Sequence, residues 1–239
     1  MDGLDDLARS TMAASPGEEG GGRGTPGSSL PPDRTAAILE AAKQVGSLLK
    51  AGGHRFALAG GTAAYAHGLP LRLSHDVDFC ILREDAEAVS ATLQAGGIKT
   101  YTPPEDWLIK AECRGEAVDL IFELAHRAVD AETLARAPEL PVDSVRMPVL
   151  SPTDLVASLV AAFSEHHCDY GPVLPIARQL RERIDWGDLR AQFGGRPMAD
   201  AFFYLLERLD VIAPAAMLSD VPADTSHRAR DPIDGNGAW

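Results

Sequence analysis

The sequence predicts an α/β fold followed by a helical region. Two observations carry this. Between residues 35 and 150, short apolar runs alternate with stretches of helical spacing, and paired glycines separate them. After Ser151-Pro152 the strand-like runs stop and helical patterns follow one another.

The elements read off in order. Thr35–Ala51 has Ile38, Leu39, Ala42, Val45, Leu48 and Leu49 at helical spacing and stops at Gly52-Gly53. Phe56–Ala59 is a short apolar strand running into Gly60-Gly61. Thr62 is placed to cap a short helix over Ala63–His67, ended by Gly68 and Pro70. Val77–Leu82 is a strand and Glu84–Ala95 a helix. Trp107–Cys113 and Ala117–Leu124 are strands joined by a turn at Arg114-Gly115-Glu116. Arg146–Leu150 is one more short strand. Pro152 at a first helical position, with Ser151 before it, starts the helical region. Helices are expected at 152–165, 172–183, 186–192 and 198–209.

The expected organisation is therefore an α/β domain over 35–150 and a helical domain over 151–215. Residues 1–34 and 216–239 read as tails. The first is rich in Gly, Pro and Ser, and the second is polar with no apolar period.

Bulk properties narrow the function. The 239 residues are 45% apolar and 24% charged, which suffices for one sizeable core with a small helical annex. No apolar run approaches the roughly 18 residues of a membrane span. Asp2, Asp5 and Asp6 stand where a signal peptide carries basic residues, so a cytoplasmic protein is expected, with no membrane partner. Cys80, Cys113 and Cys168 are odd in number and lack metal-ligand spacing, and they read as ordinary thiols. A formal net charge of -13 opposes an extended DNA or RNA footprint, though it leaves room for a small basic pocket.

The chemistry-bearing residues begin with Asp76-Val77-Asp78. Read as part of a strand, Asp76 and Asp78 share one face while Val77, Phe79 and Ile81 take the other. Neighbouring carboxylates repel, so a cation is expected beside them. Mg²⁺ suits such a site, being a hard ion held by carboxylates, phosphate oxygens and water, with Mn²⁺ as a substitute. Asp119 lies within the apolar run Ala117–Phe122 and needs a partner there. If its strand neighbours Val77–Leu82, it completes a three-carboxylate cluster suited to phosphoryl chemistry.

Gly60-Gly61-Thr62 sits between a strand and a helix start. Its glycines permit close backbone approach to a phosphate, and Thr62 adds a hydroxyl. Lys110 is a cross-strand candidate for Asp119, and pairing with that acid or binding phosphate both fit it. Glu165–Tyr170, with His166 and His167, reads as a polar helix end. Phe202, Phe203, Tyr204 and Trp186 read as core or contact residues.

Strand, Gly60-Gly61-Thr62, short helix, Arg72-x-Ser74-x-Asp76-x-Asp78 and a third Asp on a later strand resemble the polymerase-β-like nucleotidyltransferase superfamily. Within it the pattern looks most like the AbiEii-type branch, which includes bacterial toxins, and like an uncharacterised nucleotidyltransferase-like bacterial group. The resemblance covers about residues 38–210 and is weaker in the helical part. It implies a small mixed sheet with flanking helices, then a helical domain. It implies Asp76, Asp78 and Asp119 as catalytic metal ligands. It implies Gly60, Gly61, Thr62, Arg72, Ser74 and Lys110 around the nucleotide. The reaction it implies joins NMP from an NTP donor to an acceptor hydroxyl on an RNA end, a protein or a small molecule. The alternatives are a catalytically inert nucleotidyltransferase-like binding or regulatory module, and an antibiotic-modifying nucleotidyltransferase, since an acidic cleft suits a cationic aminoglycoside better than RNA. An antitoxin partner would follow from the toxin branch. One departure is visible: Ser158 stands near the position where the AbiEii-type helix carries a lysine, leaving Lys110, Arg72 and Arg178 to neutralise phosphate.

Overall fold

The structure is a computed structural model, and it describes residues 34–124 and 127–214. The expected tails lie outside the described residues, apart from Arg34.

A five-stranded mixed sheet forms the centre. Its strands are β1 (Phe56–Leu58), β2 (Val77–Ile81), β3 (Lys99–Tyr101), β4 (Leu108–Cys113) and β5 (Glu116–Ile121), in the spatial order β1-β2-β5-β4-β3. The pair β2–β5 is parallel and the other neighbours are antiparallel. The β4–β5 hairpin turns on Arg114 and Gly115, both at positive φ (57° and 81°), as a two-residue turn of right-twisted strands requires.

One face of the sheet is covered by α1 (Thr35–Ala51) and α3 (Ala86–Ala95). The α1 stripe Ile38, Leu39, Ala42, Val45 and Leu49 is buried, as its spacing predicts. Phe79 on β2 points to this side: a Cβ on Gly46 of α1 would stand 3.8 Å from its ring. Completely burying Phe79 contributes about 1.5–3 kcal/mol. All five β2 residues are buried, so the strand is covered on both faces rather than on one.

The short helix α2 spans Gly60–Ala66. This corrects the expected start at Ala63. Thr62 is not a cap; it lies inside the helix, 1% exposed, and the cap position is Ala59.

Several short elements escape the sequence patterns. They are β3, β7 (Arg127–Ala128), helix α4 (Ala131–Ala135) and β8 (Glu139–Val142). The strand expected over Ala117–Leu124 breaks at Phe122, so that β5 ends at Ile121 and β6 (Glu123–Leu124) pairs with β7 as a separate hairpin. Strand β8 pairs with β9 (Val145–Pro148) beside α1. Beyond β9, Val149 bridges Leu58, and the Leu150 N–H donates to the Leu58 carbonyl at 2.9 Å, so the chain runs along the free edge of β1.

The helical region is α5 (Pro152–Ala161), α6 (Val173–Leu180), α7 (Trp186–Phe193) and α8 (Pro197–Arg208). The Ser151 hydroxyl caps α5 by accepting from the Asp154 N–H. Phe163, Tyr170 and Phe202 meet ring to ring with centroids 4.9–5.3 Å apart. Two expectations fail here. The helix from 152 ends at Ala161, and Ser164 and His167 form a bridge rather than a helix end. Tyr204 is 63% exposed, unlike buried Phe202 and Phe203. Among the described residues no helix is long and apolar enough to cross a membrane.

Candidate active site

The parallel pairing of β2 with β5 sets the site. It puts Asp78 opposite Asp119, and the antiparallel pairing of β5 with β4 puts Asp119 opposite Lys110. Directly paired residues share a sheet face. This face is opposite to the one that carries Phe79.

Asp76 joins the two. It precedes β2 rather than lying in it, because the strand begins at Val77. Even so, Asp76, Asp78 and Asp119 each offer a carboxylate oxygen, and these oxygens all lie within 4.8 Å of one another. Among the described residues this is the one group of three or more acidic, His or Cys side chains close enough to hold a metal ion. His166 and His167 form no such group.

The electrostatics of the cluster are unbalanced. Asp78 is 4% exposed and Asp119 is 3% exposed. Burial, then the charges of Asp76 and Asp119, push the Asp78 carboxyl well above its ordinary range, and Lys110 offsets this in part. The Lys110 ammonium donates to both Asp119 oxygens, at 3.0 and 3.2 Å. Burial pulls the Lys110 pKa down, but the Asp119 charge and hydrogen bonds outweigh it, so the net shift is upward. The buried Oδ1 of Asp76 has no hydrogen-bond partner. An unpaired buried carboxylate oxygen beside two more carboxylates is a costly arrangement without a cation.

A divalent metal fits the donor set. All the oxygens are hard, Asp76 Oδ1 is free to ligate, and the lone pairs of Asp119 can serve both Lys110 and a metal.

Gly60 fixes the approach of α2 to the acids. It has φ of +58°, and a Cβ built on it would stand 1.9 Å from Asp78 Oδ2. The Ala59 N–H donates to the Asp78 carbonyl at 2.8 Å, which locks the two segments together. Gly61 is different: a Cβ there would meet nothing nearer than Leu73 Cδ2 at 3.8 Å.

The remaining expected residues are distributed unevenly. Arg72 and Ser74 are exposed on the loop before Asp76. Arg34 donates to the Ser74 carbonyl at 3.4 Å. Ser158 is buried, and its hydroxyl donates to the Leu155 carbonyl at 2.7 Å. Asp154 is a first-turn acid of α5, paired to Arg136 at 2.8 Å. A small open cleft lies between α5, α7 and the β6–β7 hairpin, with Arg127, Arg136, Asp154, Ser158 and Phe193 on its walls. It contains none of the three clustered acids.

Two residues escaped the sequence reading. The His67 Nε2 donates to the Leu150 carbonyl at 2.8 Å, while Arg183 donates to its Nδ1 at 2.8 Å. This ties the end of α2 to the helical region. Tyr101, on edge strand β3, pairs with Lys110. Neither belongs to a motif, so pairing and packing alone reveal them.

Residues 33–214 match the model of a family described as uncharacterised nucleotidyltransferase. No curated protein matches the chain. Among solved structures it is similar to the antibiotic-resistance factor ANT(2'')-Ia in solution, at 14% identity over 77% of this chain and 96% of that one, with a TM-score of 0.45. It is similar to a nucleotidyltransferase-like antigen of Paracoccidioides brasiliensis at 14% identity, over 77% and 91% of the two chains, with a TM-score of 0.48. Against a putative nucleotidyltransferase of Thermotoga maritima the figures are 16%, 48% and 78%, and 0.39.

Proposed function

The chain belongs to this nucleotidyltransferase family, and from that premise we propose that it transfers NMP from an NTP to an acceptor hydroxyl at Asp76, Asp78 and Asp119. The observation that carries the reading is the carboxylate cluster itself, within 4.8 Å and with the Asp76 oxygen left unpaired. Residues 35–150 act as the catalytic domain and 151–215 as a helical domain that abuts it.

Asp76, Asp78 and Asp119 would hold Mg²⁺, with Mn²⁺ able to replace it. The ion would supply charge neutralisation at the transferring phosphoryl group. The rest falls to the chain's own residues. Gly60 and Gly61 let the donor phosphates approach α2, with exposed Arg72 and Ser74 at their periphery and buried Thr62 behind them. Asp119 orients the acceptor hydroxyl and takes up its proton. Lys110 holds Asp119 in place and adds positive charge as the phosphoryl oxygens develop charge. Catalysis is by position and electrostatics rather than by a covalent nucleophile.

The acceptor class is an RNA end, a protein or a small molecule, and the working compartment is the cytoplasm, where NTP and Mg²⁺ are available. The AbiEii-type resemblance extends this reading to a toxin neutralised by an antitoxin protein.

The test is pyrophosphate release from each NTP with Mg²⁺, supplied with total RNA or a small-metabolite extract. Wild-type protein should release pyrophosphate, and Asp78→Asn and Asp119→Asn should not. Equal release by the variants would overturn the assignment. A second reading is a nucleotide-binding module without transfer. One observation favours it: buried Ser158 offers no cation from α5. Metal-dependent NTP binding by calorimetry, with no pyrophosphate released on any acceptor, would select that reading.

A further inference from the structure

The sheet register continues past the acids. Asp78 pairs with Asp119, Asp119 with Lys110, and Lys110 with Tyr101. Side chains directly opposite one another across a sheet share a face. The four therefore form one row on the face that carries the chemistry, running from β2 to the edge strand β3.

Exposure changes along the row. Asp78 and Asp119 are buried, Lys110 has 26% of its side chain exposed, and Tyr101 is 57% exposed. Tyr101 is one of three large apolar residues that stand exposed among the described residues. The others, Tyr204 and Leu209, lie at the end of the helical region. Two residues back along β3, exposed Lys99 shares the Tyr101 face and pairs with Glu112.

The row also has a direction. Gly60 and α2 abut Asp78 at the β1 side, where the proposed donor phosphates enter. Lys110 and Tyr101 lie on the other side of Asp119, the side left to the acceptor if the donor enters over Gly60. Neighbouring strands stand about 4.8 Å apart, so the Tyr101 backbone is about 10 Å from that of Asp119. One sugar and its attached base bridge such a distance.

We propose that Tyr101 is an acceptor-binding residue: it stacks a nucleobase of the acceptor while the acceptor's sugar hydroxyl reaches Asp119. The assignment rests on the nucleotidyltransferase reading and makes the acceptor an RNA end held through its terminal nucleotides. An exposed aromatic ring stacks a base whatever its identity, because every base has a π-face. With a net charge of -13, the footprint is confined to the terminal nucleotides and does not extend along the strand.

The experiment uses the full-length chain and two 5′-fluorescein probes: a tetra-adenylate, and the same ribose-phosphate chain without bases. Binding is followed by fluorescence anisotropy. The proposal expects tighter binding of the base-bearing probe. Tyr101→Ala should weaken that probe by roughly five- to 150-fold, the range of one lost base stack. It should leave the abasic probe unchanged, and Tyr101→Phe should behave as wild type. Equal binding of the two probes, no measurable binding of tetra-adenylate, or no effect of Tyr101→Ala would each overturn it. Calorimetry of Mg²⁺-ATP binding runs in parallel. If wild-type protein binds Mg²⁺-ATP while Tyr101→Ala leaves tetra-adenylate binding intact, the acceptor assignment falls and the donor reading stands. If Mg²⁺-ATP does not bind, the donor reading falls, and with it the assignment that rests on it.

Discussion

Gly60 is where backbone geometry and the carboxylate cluster meet, and Gly60→Ala probes both. A Cβ there would stand 1.9 Å from Asp78 Oδ2, a separation no pair of non-bonded atoms tolerates. The backbone also sits at φ of +58°, where an L side chain costs about 1–2 kcal/mol. Overpacking of a filled site adds about 1–3 kcal/mol. The total is about 2–5 kcal/mol if Asp78 stays in place. At about 2–4 °C per kcal/mol for a domain of this size, the melting temperature should fall by roughly 4–20 °C. If Asp78 swings aside instead, stability recovers, but the metal loses a ligand. Either way, thermal melts with and without Mg²⁺ should show a loss. Gly61→Ala is the control one residue along: it has no positive φ and 3.8 Å of clearance. Within a helix that change is neutral or stabilising by up to about 1 kcal/mol. If Gly61 borders the donor phosphates, the same variant should weaken NTP binding without lowering the melting temperature. A Gly60→Ala protein with wild-type melting and wild-type Mg²⁺ response would refute the reasoning.

Other predictions follow from the same geometry. Asp78→Asn removes like-charge repulsion in the metal-free protein. Because the Asp78 pKa is raised in the folded state, its ionisation costs stability as pH rises through the folded value. The variant should therefore melt higher than wild type at pH 7 with EDTA, and Mg²⁺ should not raise it further. Lys110→Met leaves Asp119 buried beside two other acids, and it should destabilise the metal-free protein by about 1–3 kcal/mol, less with Mg²⁺ present, by urea denaturation. Burial, with a smaller effect of Arg183, holds the His67 pKa below 6.5, while the bond to Leu150 opposes the shift. A depressed folded value means stability is complete above pH 6.5 and is lost as pH falls through the folded value. Melts of wild type against His67→Gln from pH 7.5 to 4.5 should show that this part of the acid loss disappears in the variant. A thiol reagent should modify exposed Cys168 in the native protein, but Cys80 and Cys113 only after unfolding, because both are buried and burial raises both thiols.

Legibility in the sequence followed local signal strength. Long apolar periods such as Thr35–Ala51 were plain, because seven buried positions repeat on one face. Short elements were not. Strand β8 contains Pro141, which argues against a strand and is tolerated in a two-stranded hairpin. Helix α4 has five residues, too few to show a period, and only its Asp130 cap announces it. The acidic site was largely readable: Asp119 did fall beside Asp78, and Lys110 did pair with Asp119. Two details needed the backbone. Asp76 contributes from a loop rather than from the strand face, and Thr62 is enclosed in α2 rather than capping it. Tyr101 was invisible because a three-residue edge strand has no pattern, and strand register alone aligns it with Lys110.

The central claim is that Asp76, Asp78 and Asp119 together bind a divalent cation. Electron paramagnetic resonance of free Mn²⁺ tests this most directly, since the ion's signal falls as protein takes it up. Without NTP, which would itself chelate the ion, wild-type protein should deplete the signal, Mg²⁺ should restore it by competition, and Asp78→Asn and Asp119→Asn should deplete it far less. Equal depletion by wild type and both variants would place the metal elsewhere and contradict the account.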